Sequence, residues 1–258
     1  MKKTILLSMA ALSLLITSCK KPKDGATGAT GPAGPVLKGN LQGFIQLYDQ
    51  YGTRQYFKLD SAAVTIDGSS ASVFSDSNGK FAFSDLNTGI YNLSITGRSG
   101  YGATKQQNIE ITGNGTINKD IRLGQVPTWS VNTITAIDTV VGGNHSLKIR
   151  ANIAAADTKA RQLAIFIGTS SGVSSTNYIW NYTINVPANT TTVNSVVGQT
   201  SVFLNGDNLP SGSTIYLVAY PAGVGYQNNS TYLDFNTDLT IYNALNTGNA
   251  AIAQVSIQ

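Results

Sequence analysis

Ser75-Asp76-Ser77-Asn78-Gly79-Lys80-Phe81-Ala82-Phe83, and then Gly89-Ile90-Tyr91-Asn92-Leu93-Ser94-Ile95, carry the signal that sets the fold. Asp and Asn side chains bond backbone groups two residues on, and Asn and Gly tolerate positive φ, so Asp76–Gly79 reads as a tight turn. After it Phe81 and Phe83 alternate with Lys80 and Ala82, and Tyr91, Leu93 and Ile95 alternate with Asn92 and Ser94. Period two with one apolar face is the pattern of a half-buried strand. Asp76 and Asn78, with Asp85 six residues past Gly79, leave a trace of a calcium loop, but no flanking helix is predicted, and the turn is the better reading.

Working outward, strands are predicted at Leu41–Tyr48, Ala63–Asp67, Ala71–Ser75, Lys80–Phe83, Gly89–Thr96, Lys105–Thr112 and Thr116–Leu123. Seven strands in so short a stretch make a sandwich. Beyond Val126-Pro127 a second series follows: Ser130–Val141, Ser146–Ala154, Arg161–Gly168, Asn177–Val186, Thr191–Leu204, Thr214–Tyr220, Tyr232–Tyr242 and Ala251–Ile257. Tyr178, Trp180 and Tyr182 would share one face there, and the polar Asn177, Asn181 and Thr183 opposite them assign that face to the core. The expected fold class is all-β, two tandem β-sandwiches, with domains at 38–124 and 125–258. Composition agrees: 12% charged residues, 26 Gly and 12 Tyr suit strands and turns.

The first series resembles the carboxypeptidase regulatory-like domain, a transthyretin-like (prealbumin-like) sandwich. The residues that carry the likeness are Gly43, Ala63-Val64, the Ser75–Phe81 turn and strand, Gly89-Ile90-Tyr91 and Gly100-Tyr101. Such domains are accessory and non-catalytic, and their wider structural group includes starch-binding-like modules, so the resemblance implies carbohydrate binding. The chain departs from the pattern in a long insert, Asp49–Leu59, which carries Tyr51, Arg54, Tyr56 and Phe57. In the second series Leu209–Tyr220 resembles the sixth strand of fibronectin type III domains, an immunoglobulin-like sandwich. That likeness implies a corner tyrosine at Tyr216, tied to upstream backbone.

Residues 1–18 read as an export signal, with Lys2-Lys3, an apolar run from Ile5 to Ile16 and small residues after it. The run is short of the about 20 residues a bilayer span needs. Ile16-Thr17-Ser18-Cys19 resembles the lipobox of bacterial lipoproteins, which implies cleavage before Cys19 and its acylation. Lys20, where some families place a retention aspartate, favours the outer membrane. Lipoproteins of the Bacteroidota type often carry acids just after the cysteine. Lys20-Lys21-Pro22-Lys23 departs from that, and the periplasmic or surface face stays open. Residues 19–37 form a tether in which glycine recurs every third position from Gly25 to Gly34, the collagen period. Four triplets are few for a triple helix. An extended spacer reaching roughly 60 Å is the expected form, and trimerisation and oligomeric state are left open.

Charge and residue inventory exclude several functions. Five of the 17 Lys and Arg precede residue 24, which leaves twelve basic and twelve acidic residues from Lys38 onward. A nucleic-acid partner is therefore not expected, since the folded part carries no basic excess. One Cys excludes an intramolecular disulfide and a multi-cysteine metal site, the single His cannot form a zinc site alone, and no metal or other cofactor is expected. Gly168-Thr169-Ser170-Ser171-Gly172 matches the nucleophile-elbow string, but no helix pattern follows and the lone His145 lies upstream. The chain is not expected to be an enzyme. The expected role is a membrane-anchored envelope protein that binds carbohydrate or a surface polymer. The alternative is a structural or protein-docking component with no small-molecule site. Candidate ligand residues sit on two loops: Tyr51, Arg54 and Tyr56 in the insert, and Tyr226, Asn228, Asn229 and Tyr232 in Pro221–Asp234. Asp60-Ser61-Ala62 and Asp138-Thr139-Val140 resemble an O-glycosylation motif, which would place modification at Ser61 and Thr139.

Overall fold

The Asp76 turn forms as its sequence dictates. Asp76 Oδ1 accepts the N–H groups of Asn78 and Lys80 at 2.9 and 2.8 Å, and Gly79 takes φ +80°. Its Oδ1 committed to two backbone donors, Asp76 holds the turn that the sequence predicts. The computed structural model describes residues 34–141, 144–197, 212–224 and 231–258, together with Gly25 and Gly31. They are all-β, with a single 3-10 turn at Thr247–Asn249.

The first sandwich is organised around β1 (Lys38–Tyr48). Along one edge β1 pairs antiparallel with β5 (Lys80–Asn87), then with β2 (Arg54–Gln55), a short strand inside the insert that its sequence does not announce. Along the other edge it pairs in parallel with β8 (Thr116–Asn118) and β9 (Ile121–Gly124). The predicted single strand Thr116–Leu123 is thus two strands. The break has a physical cause: Lys119 turns its carbonyl toward Gly43, where any Cβ would overlap it. Asp120 restores the ladder, since its Oδ1 accepts the Phe44 N–H at 3.0 Å where a backbone carbonyl would otherwise stand. The facing sheet is β4-β3-β6-β7, that is Ser72–Phe74, Ala63–Ile66, Gly89–Thr96 and Thr104–Ile111. Leu41, Ile45, Phe81, Leu93, Ile95, Ile109 and Leu123 fill the core between the two sheets.

The second sandwich pairs the sheet β10-β11-β14 (Val131–Val141, Asn144–Ile153, Thr192–Val197) with β13-β12-β15-β18 (Trp180–Val186, Arg161–Gly168, Thr214–Ala222, Ala251–Ser256). Leu147, Ile149, Leu163, Ile165, Ile167, Leu217 and Val255 lie in its core. β12 is buried along nearly its whole length because its opposite face is covered as well. Ala164, Phe166, Val218, Tyr220 and Leu245 form a further cluster there, with Tyr178 and Tyr242 packed against it. The predicted strand Tyr232–Tyr242 is instead a hairpin, β16 (Thr231–Asp234) and β17 (Leu239–Tyr242), turning at Asp238 with φ +54°. Tyr178 also departs from expectation. It precedes β13 and packs at a tilt against Phe166, whereas Trp180 packs toward the main core and Tyr182 is exposed on the edge strand.

Val36–Gln258 form one compact unit. Polar contacts join the two sandwiches: Tyr51 Oη donates to Asp157 Oδ2 at 2.7 Å, and Asn243 Nδ2 to Thr104 Oγ1 at 2.8 Å. Gly102 lies so close to the Asn243 carbonyl that a side chain would collide with it.

Candidate functional site

β1 exposes Phe44 and Gln46 on its outer face while Leu41, Ile45 and Leu47 point inward. Phe44 is an apolar residue at an outward position of the alternation, 46% exposed. The insert returns beside it: β2 pairs Tyr48 with Arg54 and Leu47 with Gln55. Strand alternation then sends Arg54 and Tyr56 to one side and Gln55 and Phe57 to the other. Arg54 and Tyr56 close a groove of about 410 Å³ over Phe44, Gln46, Asn78 and Asp120. The Arg54 guanidinium carbon lies 5.1 Å from the Tyr56 ring centre, which orients both side chains. Asp120 Oδ2 accepts from Gln46 Nε2 at 3.2 Å, so the carboxylate is fixed by the same ladder interruption that splits β8 from β9. Tyr56 is 76% exposed and offers a free ring face. The groove can stack a flat apolar ring and present an amide, a guanidinium and a carboxylate to its hydroxyl edge.

On the far side of the β2 ridge lies a second groove of about 220 Å³, with Phe57, Lys58, Arg98 and Tyr101 among its lining residues. Burial pushes the Tyr101 hydroxyl above its ordinary pKa, opposed by the nearby Arg98 charge.

The other sequence-predicted residues fall elsewhere. Tyr51 turns away from both grooves to Asp157, with the Lys159 ammonium 4.6 Å from its ring centre. That hydrogen bond raises the Tyr51 pKa and lowers that of Asp157, the two shifts a phenol donating to a carboxylate must show. Tyr51 therefore braces the two sandwiches and does not line the groove that Arg54 and Tyr56 share. Tyr232, half-buried, lines a third cleft of about 250 Å³ with Thr96, Thr104 and Lys105. Tyr226, Asn228 and Asn229 lie outside the described residues, as do Cys19, the tether's remaining positions and the upstream backbone expected to receive Tyr216. Ser61 is exposed in a loop with φ +71°, and Thr139 is half-buried within β10 opposite Ser146. Among the described residues no group of three or more His, Cys, Asp or Glu could hold a metal ion.

Phe44, Gln46 and Asp120 were not singled out by sequence. Phe44 carried a signal, being apolar in an outward register. Asp120 carried none, because its place depends on pairing between β1 and a segment about 75 residues later.

The family match falls on the first sandwich. Residues 58–124 match the family model of the carboxypeptidase regulatory-like domain. The match begins just past β2, so most of the first groove is built outside it. No curated protein matches the chain. Among solved structures, a candidate carbohydrate binding protein from Bacteroides uniformis aligns at 10% identity and TM-score 0.30, covering 86% of this chain and 100% of that one. A DUF3823 family protein from Parabacteroides merdae aligns at 14% and 0.29, covering 87% and 100%. The major pilin SpaD from Corynebacterium diphtheriae aligns at 10% and 0.27, covering 85% and 66%. Likenesses at these scores carry no argument about activity.

Proposed function

We propose that this chain is a non-catalytic, lipid-anchored envelope protein that binds a carbohydrate or surface polymer in the groove between Phe44, Arg54, Tyr56 and Asp120. The observation that carries the proposal is the exposed Tyr56 ring, held by Arg54 at the mouth of an open groove whose floor is amide and carboxylate. Sugars present both a hydrophobic ring face and a fringe of hydroxyls, and this groove has a complement for each. The strand order β10-β11-β14 against β13-β12-β15-β18 supports a fibronectin III-like reading of the second sandwich.

Glycan-array and polysaccharide binding by the full chain tests the site. A specific ligand is expected, with Tyr56→Ala weakening it about tenfold, the loss of one stacking contact. Binding unchanged in Tyr56→Ala, or no ligand at all, would overturn the assignment and move the search to envelope cross-linking for a protein partner. That second role has less to stand on. On the outer face of the three-stranded sheet Ile137 and Val196 lie in one cross-strand row, but Lys148 separates them.

The anchor rests on the lipobox-like Ile16–Cys19 and the envelope, outer-membrane location follows from it; among the described residues no helix is long and apolar enough to cross a membrane. Several acyl chains at about 0.8 kcal/mol per buried CH₂ give stable membrane attachment. Metabolic labelling with a fatty-acid analogue is expected to mark the wild type and not Cys19→Ala; equal labelling sinks the anchor.

A further inference from the structure

Past Phe57 the alternation that sends successive side chains of the insert to opposite sides of the ridge is broken. Lys58 adopts φ +56°, a left-handed conformation that costs a side chain with a Cβ and favours glycine or asparagine. Its effect is directional: Lys58 joins Phe57 in lining the second groove, where strict alternation would have sent it to the first. The conformation is held from across the groove, since Arg98 Nη1 donates to the Lys58 carbonyl at 2.8 Å. Strain kept in this way by a cross-sandwich contact is a mark of a functional position.

The result is a groove with two cations and two rings, Lys58, Arg98, Phe57 and Tyr101, and no carboxylate among its described lining residues. The carboxylates of Asp49, whose charge reaches Tyr101, and of Asp60 stand outside the groove lining and turn to local donors. Asp49 Oδ1 accepts the N–H groups of Tyr51 and Thr53 at 3.0 and 2.8 Å, and Asp60 Oδ2 accepts from the Ser61 hydroxyl at 3.3 Å. The lining thus concentrates two cations within a folded part whose total charge is balanced.

We infer that the second groove is a subsite for the anionic group of the polymer, so that the ligand class is an acidic polysaccharide bearing carboxylate or sulfate. The inference rests on the polymer-binding reading above. The ridge Arg54–Phe57 divides two grooves of complementary chemistry: one stacks and hydrogen-bonds a neutral sugar, and the other pairs with charge. Aromatic rings on both sides of the ridge favour a glycan over an acidic peptide or a lipid headgroup.

The test compares binding of the full chain to polymer pairs of one backbone that differ in charge: polygalacturonate against its methyl ester, and chondroitin sulfate against chondroitin both desulfated and carboxyl-reduced. The acidic member of at least one pair is expected to bind tenfold or more tightly, and the preference to shrink as salt rises. Lys58→Asn is the discriminating variant, because asparagine tolerates the left-handed backbone and the fold should be kept or stabilised. It should abolish the acidic preference and leave the neutral member's affinity unchanged, whereas Tyr56→Ala should weaken both. Equal binding of acidic and neutral members, or a Lys58→Asn loss shared by both, overturns the inference and leaves the polymer-binding reading standing. Binding to vesicles of anionic phospholipid in place of the polymers also overturns it. If neither member of either pair binds, the inference falls, and if the wider glycan panel is negative as well the polymer-binding reading falls with it.

Discussion

Gly43→Ala is expected to destabilise the first sandwich by about 3 kcal/mol, because the added methyl would occupy the space of the Lys119 carbonyl oxygen. The obstacle is backbone, which cannot swing aside as a side-chain terminus can. Lys119 is itself fixed, its N–H donating to the Gln42 carbonyl at 2.8 Å. Relief requires β1 and the β8–β9 segment to separate, and that displaces Asp120 from the Phe44 N–H and from Gln46. Loss of ligand affinity should therefore accompany loss of stability, although Gly43 does not line the groove. Far-ultraviolet circular dichroism against denaturant measures the first effect. A change below about 1 kcal/mol would mean that the close approach of Lys119 to β1 is not as described.

Phe166→Ala should cost about 3–5 kcal/mol in the second sandwich, the range for deleting a buried aromatic side chain that leaves a cavity. Phe166 is fully buried, with the rings of Tyr178, Tyr242 and Tyr220 at 5.0, 5.3 and 5.7 Å. Those tyrosines bring polar obligations with them. Tyr178 donates to the Thr240 carbonyl and Tyr242 to Asn181 Oδ1, both at 2.8 Å. Removing the ring they surround loosens the attachment of the β16–β17 hairpin to the sheet, so amide exchange at Thr240 and Tyr242 should quicken more than at Leu147 in the main core. Both tryptophans, Trp129 and Trp180, belong to the second sandwich, so their fluorescence reports its unfolding separately. Phe166→Leu, which keeps most of the volume, should cost under about 2 kcal/mol. Equal exchange rates at the hairpin and the core would show that Phe166 does not pin the hairpin.

Where one face of a strand is buried and the other wet, local sequence and burial say the same thing. Gly89–Thr96 accordingly has its predicted limits, and Arg161–Gly168, buried on both faces, has its own as well. β12 needed no alternation to be found, because Leu163–Ile167 is apolar throughout and bounded by polar residues and Gly168. What alternation could not convey is why both faces of β12 are apolar. The second face is covered by Tyr178, Tyr242 and the β16–β17 hairpin, all of them ten or more residues further along the chain.

The candidate site divides along the same line. Arg54 and Tyr56 were legible as an aromatic and cationic pair in an insert, whereas Tyr51, three residues from Arg54, serves a different purpose. Nothing local separates them: the turn at Gly52, with φ +81°, points Tyr51 toward Asp157 and the strand that follows points Arg54 toward Phe44.

That this protein is all-β, with a hidden face on nearly every strand and a turn at Asp76, follows from local sequence, because those properties depend on neighbours one to four residues apart. That Gly43 admits the Lys119 carbonyl, that Asp120 completes a ladder and a groove at once, and that the Lys58 carbonyl meets Arg98 are matters of packing between distant segments. Each of these is a contact between segments at least 40 residues apart, and its geometry is set by how two sheets pack.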